Sequence, residues 1–374
     1  MSLSDKDIEW IAKLAIPERD KGYTRTFFSY PAKFQAKLPR GIIKKYSSEK
    51  EFVFDPFVGG GTTGLESMLL NRRFSGYDIN PFAIFLSKVK TTFIEPSLLL
   101  DTLANILESN INFPIYKDLL DDDDKLCLGK QISHEINMIF NSIRQNSGIE
   151  NVQWFFELAL IHSTKIVGRR DFELRNNWKN ASIIPIFQRK SKKMIRGIST
   201  LPRNIQFRPE FKIASSNKID LENDSVNLII TSPPYKGLDV EYQQLQLQRR
   251  SIQRSKRSNI ISTILGTTPI QKKRLCWTGR SGQVYWENCL KSLKECYRIL
   301  KNDKLAFFWV GFKSLEDKFK FKTQLERAGF HICNILNVSL SNDRAASGRS
   351  THHGRATGMM SNDYLFIAKK KKES

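Results

Sequence analysis

Two rhythms of apolar and polar residues alternate along this chain. Short β-branched and aromatic runs bounded by turn residues predict strands at 52–57, 73–78, 211–214, 225–230 and 304–310, with 332–340 and 364–368 as a closing antiparallel pair. Spacings of three and four predict helices at 8–14, 40–46, 65–70, 81–86, 290–300 and 315–328. Strands alternating with helices imply an α/β fold around a mostly parallel sheet. Between Pro96 and about Pro209 the pattern changes, with helical periodicity at 98–106, 132–143 and 152–166 and no strand signal. The chain therefore divides into 1–95, a largely helical insertion over 96–209, and 210–374, the last carrying a basic insertion at 236–285.

Two interruptions of this pattern carry chemistry. The first predicted strand breaks at Asp55-Pro56-Phe57 into Val58-Gly59-Gly60-Gly61-Thr62-Thr63-Gly64, and a helix follows. Glycines let the backbone approach a ligand closely, and a helix N-terminus offers unpaired N–H groups to a polar or anionic group. Gly59, Gly61 and Gly64 match G-x-G-x-x-G, and the next strand ends on Asp78, 19 positions after Gly59 (78 minus 59). An acid at that place can accept from both hydroxyls of a ribose, so the combination predicts a nucleoside pocket. No Lys-Ser or Lys-Thr closes the glycine run, which argues against a phosphate-binding P-loop.

The second interruption is Thr231-Ser232-Pro233-Pro234-Tyr235, directly after the apolar run 225–230. It stands at the carboxyl end of a predicted strand, where open α/β sheets place their ligands. Two successive prolines fix φ and remove two backbone donors, leaving carbonyls free to accept while Tyr235 offers an aromatic face. Such a site can hold a flat ring that carries an amino group.

Charge adds a partner. The 60 Lys and Arg outnumber 38 Asp and Glu, giving a formal net charge of +22 and favouring a polyanion, most simply nucleic acid. Basic residues stand among aromatics after Val167, including Arg169, Arg170, Lys190 and Lys193 beside Phe172, Trp178 and Phe187. A second stretch carries Arg249, Arg250, Arg254, Lys256 and Arg257, expected as a loop or helix pair that grips a strand. The acidic run Asp121 to Asp124 is expected to be a solvated loop rather than a metal site, and the tail 369–374 a solvated basic end. The five cysteines have neither C-x-x-C nor His-containing zinc spacing, which points to reduced thiols and no metal requirement. With no signal-peptide core near Met1 and no run of 18 apolar residues, a cytoplasmic, non-membrane protein is expected.

With both interruptions considered together, the sequence resembles the S-adenosylmethionine-dependent DNA amino-methyltransferases, which methylate the exocyclic nitrogen of cytosine or adenine. The resemblance covers about 27–90, 211–240 and 286–370. The stretch from Phe54 to Thr62 is similar to the family's cofactor loop, Asp78 to its ribose-binding acid, and Thr231 to Tyr235 to its catalytic motif. Tyr30 to Phe34 resembles an additional cofactor motif, and Arg298-Ile299-Leu300-Lys301 the turn before the fifth strand.

The resemblance implies a Rossmann-like methyltransferase sheet with an antiparallel C-terminal strand. It also implies S-adenosylmethionine held by Tyr30, Pro31, Asp55, Pro56, Phe57, Gly59, Gly61, Thr62, Thr63, Asp78 and Asn80, and catalysis by Ser232, Pro233, Pro234 and Tyr235. Double-stranded DNA is the implied substrate, with a cognate restriction endonuclease as the implied companion. In that family Ser-Pro-Pro-Tyr is most often linked with cytosine N4 and Asp- or Asn-Pro-Pro-Tyr with adenine N6. Cytosine N4 is therefore expected, with adenine N6 or an RNA base amino group as alternatives. The motif order puts target recognition in 96–209, with 236–285 competing for that role. Two departures stand out: Ser215-Ser216-Asn217 where the family often has an acid, and Asn227 where an acid is common before the fourth strand. Methylation at carbon 5 would need a cysteine nucleophile, and the absence of a Pro-Cys pair argues against it.

Overall fold

The computed structural model describes residues 3–16, 22–28, 30, 35–109, 118–168, 181–236, 245–249, 254–267, 282–312, 314–338 and 362–371. Its strands are β1 (Phe52–Asp55), β2 (Arg73–Asp78), β3 (Glu210–Ile213), β4 (Val226–Thr231), β5 (Leu245–Arg249), β6 (Arg254–Ser258), β7 (Leu300–Phe312), β8 (His331–Asn337) and β9 (Asn362–Lys369). Seven of them form one sheet in the order β3-β2-β1-β4-β7-β9-β8, while β5 and β6 make a separate antiparallel hairpin. Parallel pairing runs from β3 through β7, and β9 is antiparallel to both of its neighbours. This is the arrangement that the resemblance implies, a Rossmann-like sheet, mostly parallel with an antiparallel C-terminal strand.

Period-two alternation explains the central strands. Val53, Leu228, Ile230, Phe307, Leu365 and Ile367 share one core with helices α1 (Asp5–Ala15) and α2 (Lys37–Tyr46). Their neighbours Phe54, Ile229, Phe308 and Phe366 join the core on the opposite face. A strand covered on both faces is mostly apolar, and all six residues of β4 are buried, with its two polar ones, Asn227 and Thr231, hydrogen-bonded to neighbours. Helices α3 (Thr62–Leu69) and α4 (Pro81–Thr91) follow β1 and β2 as crossover connections. Asn80 starts α4 by accepting from the Phe82 N–H, with Pro81 in the first turn where a missing N–H costs nothing.

The helical stretch comprises α5 (Pro96–Glu108), α6 (Asp122–Leu128), α7 (Lys130–Asn146), α8 (Glu150–Val167) and α9 (Ile184–Ile198). These helices share a third core with Leu65 and Met68 of α3 and with Phe82, Phe85 and Leu86 of α4. Helix α10 (Ile260–Leu265) and the β5–β6 hairpin enter the same core through Leu245, Leu247, Ile260, Ile261 and Ile264. The face of the sheet opposite α1 and α2 is covered by α11 (Gly282–Ile299) and α12 (Leu315–Arg327).

Several expectations are corrected. The acidic run is solvated over Asp121 to Asp123 but is a helix start rather than a loop: Asp121 caps α6, and Asp124, 2% exposed, accepts from the Ser258 hydroxyl at 2.9 Å. An acid-rich first turn is favourable because unpaired N–H groups and the helix dipole stabilise negative charge there. The expected loop or helix pair after Tyr235 includes a β-hairpin, because Leu245 and Leu247 find an apolar surface on the helical layer. The basic tail is partly structural: Lys369 ends β9, and the buried Lys370 donates to Asp224 at 2.9 Å.

Candidate active site

Strands β1 and β4 are parallel neighbours whose onward connections leave in opposite directions across the sheet, which opens a crevice at their carboxyl ends. Asp55 ends β1 and Thr231 ends β4. The Thr231 hydroxyl donates to Asp55 Oδ1 at 2.6 Å, and the Phe57 N–H donates to the same oxygen at 3.0 Å. Asp55 is 2% exposed, and desolvation lifts its carboxyl to about 6 although these hydrogen bonds pull the other way.

Beyond Asp55 the chain turns tightly against β2. The Val58 N–H donates to the Tyr77 carbonyl at 3.0 Å and the Gly59 N–H to Asp78 Oδ2 at 2.9 Å. Gly59 and Gly61 both adopt left-handed backbone, with φ of +50° and +71°. A Cβ on Gly61 would lie 2.4 Å from Ser87 Oγ, so conformation and space both demand glycine there. From underneath, the buried Lys90 ammonium of α4 donates to the Gly60 carbonyl. Gly61 feeds straight into α3, so Thr62 and Thr63 form the first helical turn rather than part of the preceding loop. The helix is held by Glu66, fully buried, which pairs with Arg25 at 2.7 Å and Arg40 at 2.9 Å. No local pattern marks that ion triad, because its members lie on three separate segments.

The predicted cofactor residues Tyr30, Gly59, Asp78 and Asn80 come together. Asn80 Nδ2 donates to the Tyr30 hydroxyl at 3.0 Å, and the Tyr30 ring flanks Gly59. Asp78 Oδ1 accepts from the Asn80 N–H at 2.8 Å. Asp78 is half-buried, and desolvation raises its pKa to about 6. Pro56 and Phe57 lie in the turn between Asp55 and the glycines, whereas Pro31 is outside the described residues. Left-handed glycines, the N-terminus of α3 and an acid at the end of the adjacent strand fit a nucleoside bearing a carboxylate. S-adenosylmethionine is such a molecule, and these residues would hold it.

Ser232, Pro233, Pro234 and Tyr235 continue from the end of β4, the strand paired with β1. Pro233 is buried, while Ser232, Pro234 and Tyr235 are half-buried. The two prolines do not leave every carbonyl free, since the Tyr285 hydroxyl donates to the Pro234 carbonyl at 2.9 Å. Sequence inspection missed Tyr285, which no motif marks and which reaches the turn only through the packing of α11.

The departures from the family pattern have structural counterparts. Asn217 donates to Asn288 at 2.9 Å and accepts from Ser292 at 2.6 Å. Asn227 accepts from the Phe52 N–H at 3.1 Å and donates to Glu51 at 2.8 Å, fastening β4 to the start of β1.

Of the expected nucleic-acid residues, Arg169, Arg170 and Arg250 lie outside the described residues. Arg249, Arg254, Lys256 and Arg257 belong to the hairpin backbone, in the pairs Arg249 with Arg254 and Leu247 with Lys256. The reading of Lys190 and Phe187 as surface residues is corrected: Phe187 is fully buried, and Lys190 is 7% exposed and donates to the Thr26 carbonyl at 3.3 Å. Burial and the nearby Lys193 depress the Lys190 ammonium to about 7. Among the described residues, no group of three or more His, Cys, Asp or Glu could hold a metal ion, and no helix is long and apolar enough to cross a membrane.

Sheet order, glycine loop and Ser-Pro-Pro-Tyr turn have together the form found in the S-adenosylmethionine-dependent DNA amino-methyltransferases of restriction-modification type. Residues 5–88 match the family described as DNA methylase. Over 296 residues the chain is 25% identical to the type II methyltransferase M.MvaI of Kocuria varians, covering 67% of this chain and 64% of that protein. It is 43% identical over 53 residues to the orphan methyltransferase M.BamHII of Bacillus amyloliquefaciens, covering 14% of this chain and 20% of that protein. It is 39% identical over 70 residues to the type II methyltransferase M.HindIII of Haemophilus influenzae, covering 19% and 21% respectively. The chain thus spans less than two thirds of the length of each of these relatives.

Proposed function

We propose that this protein transfers a methyl group from S-adenosylmethionine to the exocyclic N4 of cytosine in double-stranded DNA. The observation that carries the reading is the hydrogen bond between Thr231 and Asp55, which joins the Ser-Pro-Pro-Tyr turn and the glycine loop across one crevice. A cofactor at the loop and a flat base at the turn would then face each other.

The cytosine amino nitrogen is a poor nucleophile because its lone pair is delocalised into the ring, and the duplex hides it. The base must leave the stack, at a cost of about a few kcal/mol. The Ser232 hydroxyl and the Pro233 carbonyl accept the amino hydrogens, so the lone pair localises on nitrogen, and Tyr235 stacks on the ring. S-adenosylmethionine would supply an electrophilic methyl group: the N–C bond forms as the sulfonium S–C bond breaks, S-adenosylhomocysteine leaves, and the methylated nitrogen loses one amino proton to water by way of Ser232, so no strong base is required. Fixing the reacting atoms about 3–3.5 Å apart contributes much of the rate.

The helical layer and the β5–β6 hairpin share a core, which supports reading 96–209 and the basic insertion as one recognition body rather than rivals. Arg169, Arg170, Arg249, Arg250, Arg254, Lys256 and Arg257 would meet phosphates there. A cytoplasmic enzyme with a cognate endonuclease as companion belongs to the same proposal, as the family resemblance implies. Adenine N6 is the second reading, because the same turn serves either amino group and serine in its first position is a preference rather than a rule.

The test is to incubate the protein with S-adenosylmethionine and unmethylated DNA, digest to nucleosides and identify the product by mass spectrometry. N4-methylcytosine is expected. N6-methyladenine would keep the mechanism and overturn the base, and methylation of RNA alone would overturn the DNA assignment.

A further inference from the structure

Pro233 and Pro234 have no N–H to donate, so carbonyls and flanking side chains carry more of the anchoring of this turn. Two helices on the far face supply it. Tyr285, in the first turn of α11 and 3% exposed, donates its hydroxyl to the Pro234 carbonyl at 2.9 Å. Lys236, the residue after Tyr235, pairs with Asp317 at the start of α12 at 2.6 Å. Trp286 closes the arrangement: its ring stands edge-on to Tyr285 at 4.9 Å between centroids, and Lys236 Nζ lies 5.6 Å from its centroid. Tyr235 is therefore strung between two fixed points, one on each side in sequence. Burial pushes the Tyr285 phenol well above its usual range, so it remains a donor at every working pH.

Resting on the methyl-transfer reading, we propose that Tyr285 is a positioning residue for that reaction, with the Lys236–Asp317 pair as its second anchor. By occupying the Pro234 carbonyl, Tyr285 removes that acceptor from competition. It fixes the register of the turn, so that the Ser232 hydroxyl and the Pro233 carbonyl are the pair presented to a base amino group. The Tyr235 ring plane is set by the same two anchors.

Tyr285→Phe removes one oxygen and keeps the ring packed against Trp286, so it separates positioning from folding. The full chain is assayed for kcat and KM on DNA, for cofactor affinity by calorimetry, and by fluorine NMR with 3-fluorotyrosine placed at position 235. The expected result is a tenfold or greater fall in kcat, with KM and cofactor affinity within about twofold of the parent. The fluorine resonance at 235 shifts or broadens as the ring loses its fixed plane. Lys236→Met, which cuts the other anchor, gives the same split. Unchanged kcat with an unmoved resonance would overturn the proposal. So would equal losses of turnover and cofactor affinity, which mark general loosening of the fold. If the parent methylates nothing, the functional reading fails on its own, and the fluorine spectrum alone decides whether Tyr285 orders the turn.

Discussion

The Thr231 hydroxyl lies 2.6 Å from Asp55 Oδ1, joining two residues 176 positions apart at the ends of adjacent parallel strands. The glycine loop departs from one of these strands and the Ser-Pro-Pro-Tyr turn from the other. Replacing Thr231 with valine keeps the shape and deletes the donor, leaving a buried carboxylate short of one partner. The expected cost is about 1–3 kcal/mol of stability, with at least a tenfold fall in kcat/KM, whereas Thr231→Ser retains most of both. Denaturant unfolding and steady-state methylation of DNA measure the two effects, and equal behaviour of the valine and serine variants would remove the hydroxyl from the account.

Asp55 makes stability depend on pH. Burial pushes its carboxyl up to about 6 in the fold, against 3.8 for an exposed aspartate. The folded state therefore holds this proton more tightly than the unfolded chain. The resulting stabilisation is complete below the unfolded pKa and is lost as pH rises through about 6. Asp55→Asn retains an oxygen to accept from Thr231 and the Phe57 N–H but cannot ionise. Its stability relative to the parent should rise by on the order of 2–3 kcal/mol between about pH 4 and pH 7. Urea titrations across that range would show it, and a pH-independent difference between the two proteins would contradict the assignment.

Gly61 tests the cofactor cradle from its backbone side. Gly61→Ala places a Cβ 2.4 Å from Ser87 Oγ on a residue whose φ is +71°. The left-handed conformation alone costs about 1–2 kcal/mol. The loop should shift, lowering S-adenosylmethionine affinity at least tenfold in calorimetry while the protein stays folded by circular dichroism. Asp78→Ala should lower that affinity to a similar degree by removing the half-buried acid that fits a ribose.

DNA affinity should fall steeply with salt. Each phosphate contact contributes about −0.9 to the slope of log K against log salt, so neutralising Arg254 and Arg257 together should flatten it by nearly 2. A flat response in the parent protein would take the basic hairpin out of the interface.

The sequence by itself determined which segments become the strands of the large sheet and where the two motifs stand along the chain. Strand periodicity, Asn80-Pro81 as a helix start and glycine at positions needing positive φ are local requirements, set by sterics and hydrogen bonding within a few residues. That is why β2 and the closing pair β8 and β9 were legible, and why Asp55, the glycines, Asp78 and Ser232 to Tyr235 could be named. Tertiary structure decided everything that depends on residues distant in sequence. It placed Tyr285 on the Pro234 carbonyl and Glu66 between Arg25 and Arg40, and it turned Asp124 inward to meet Ser258. It also took Lys190 and Phe187 out of a surface that composition alone had assigned to them. A charged or aromatic residue reads the same in sequence whether it faces solvent or core, because the desolvation that separates the two cases arises only when other segments close over it.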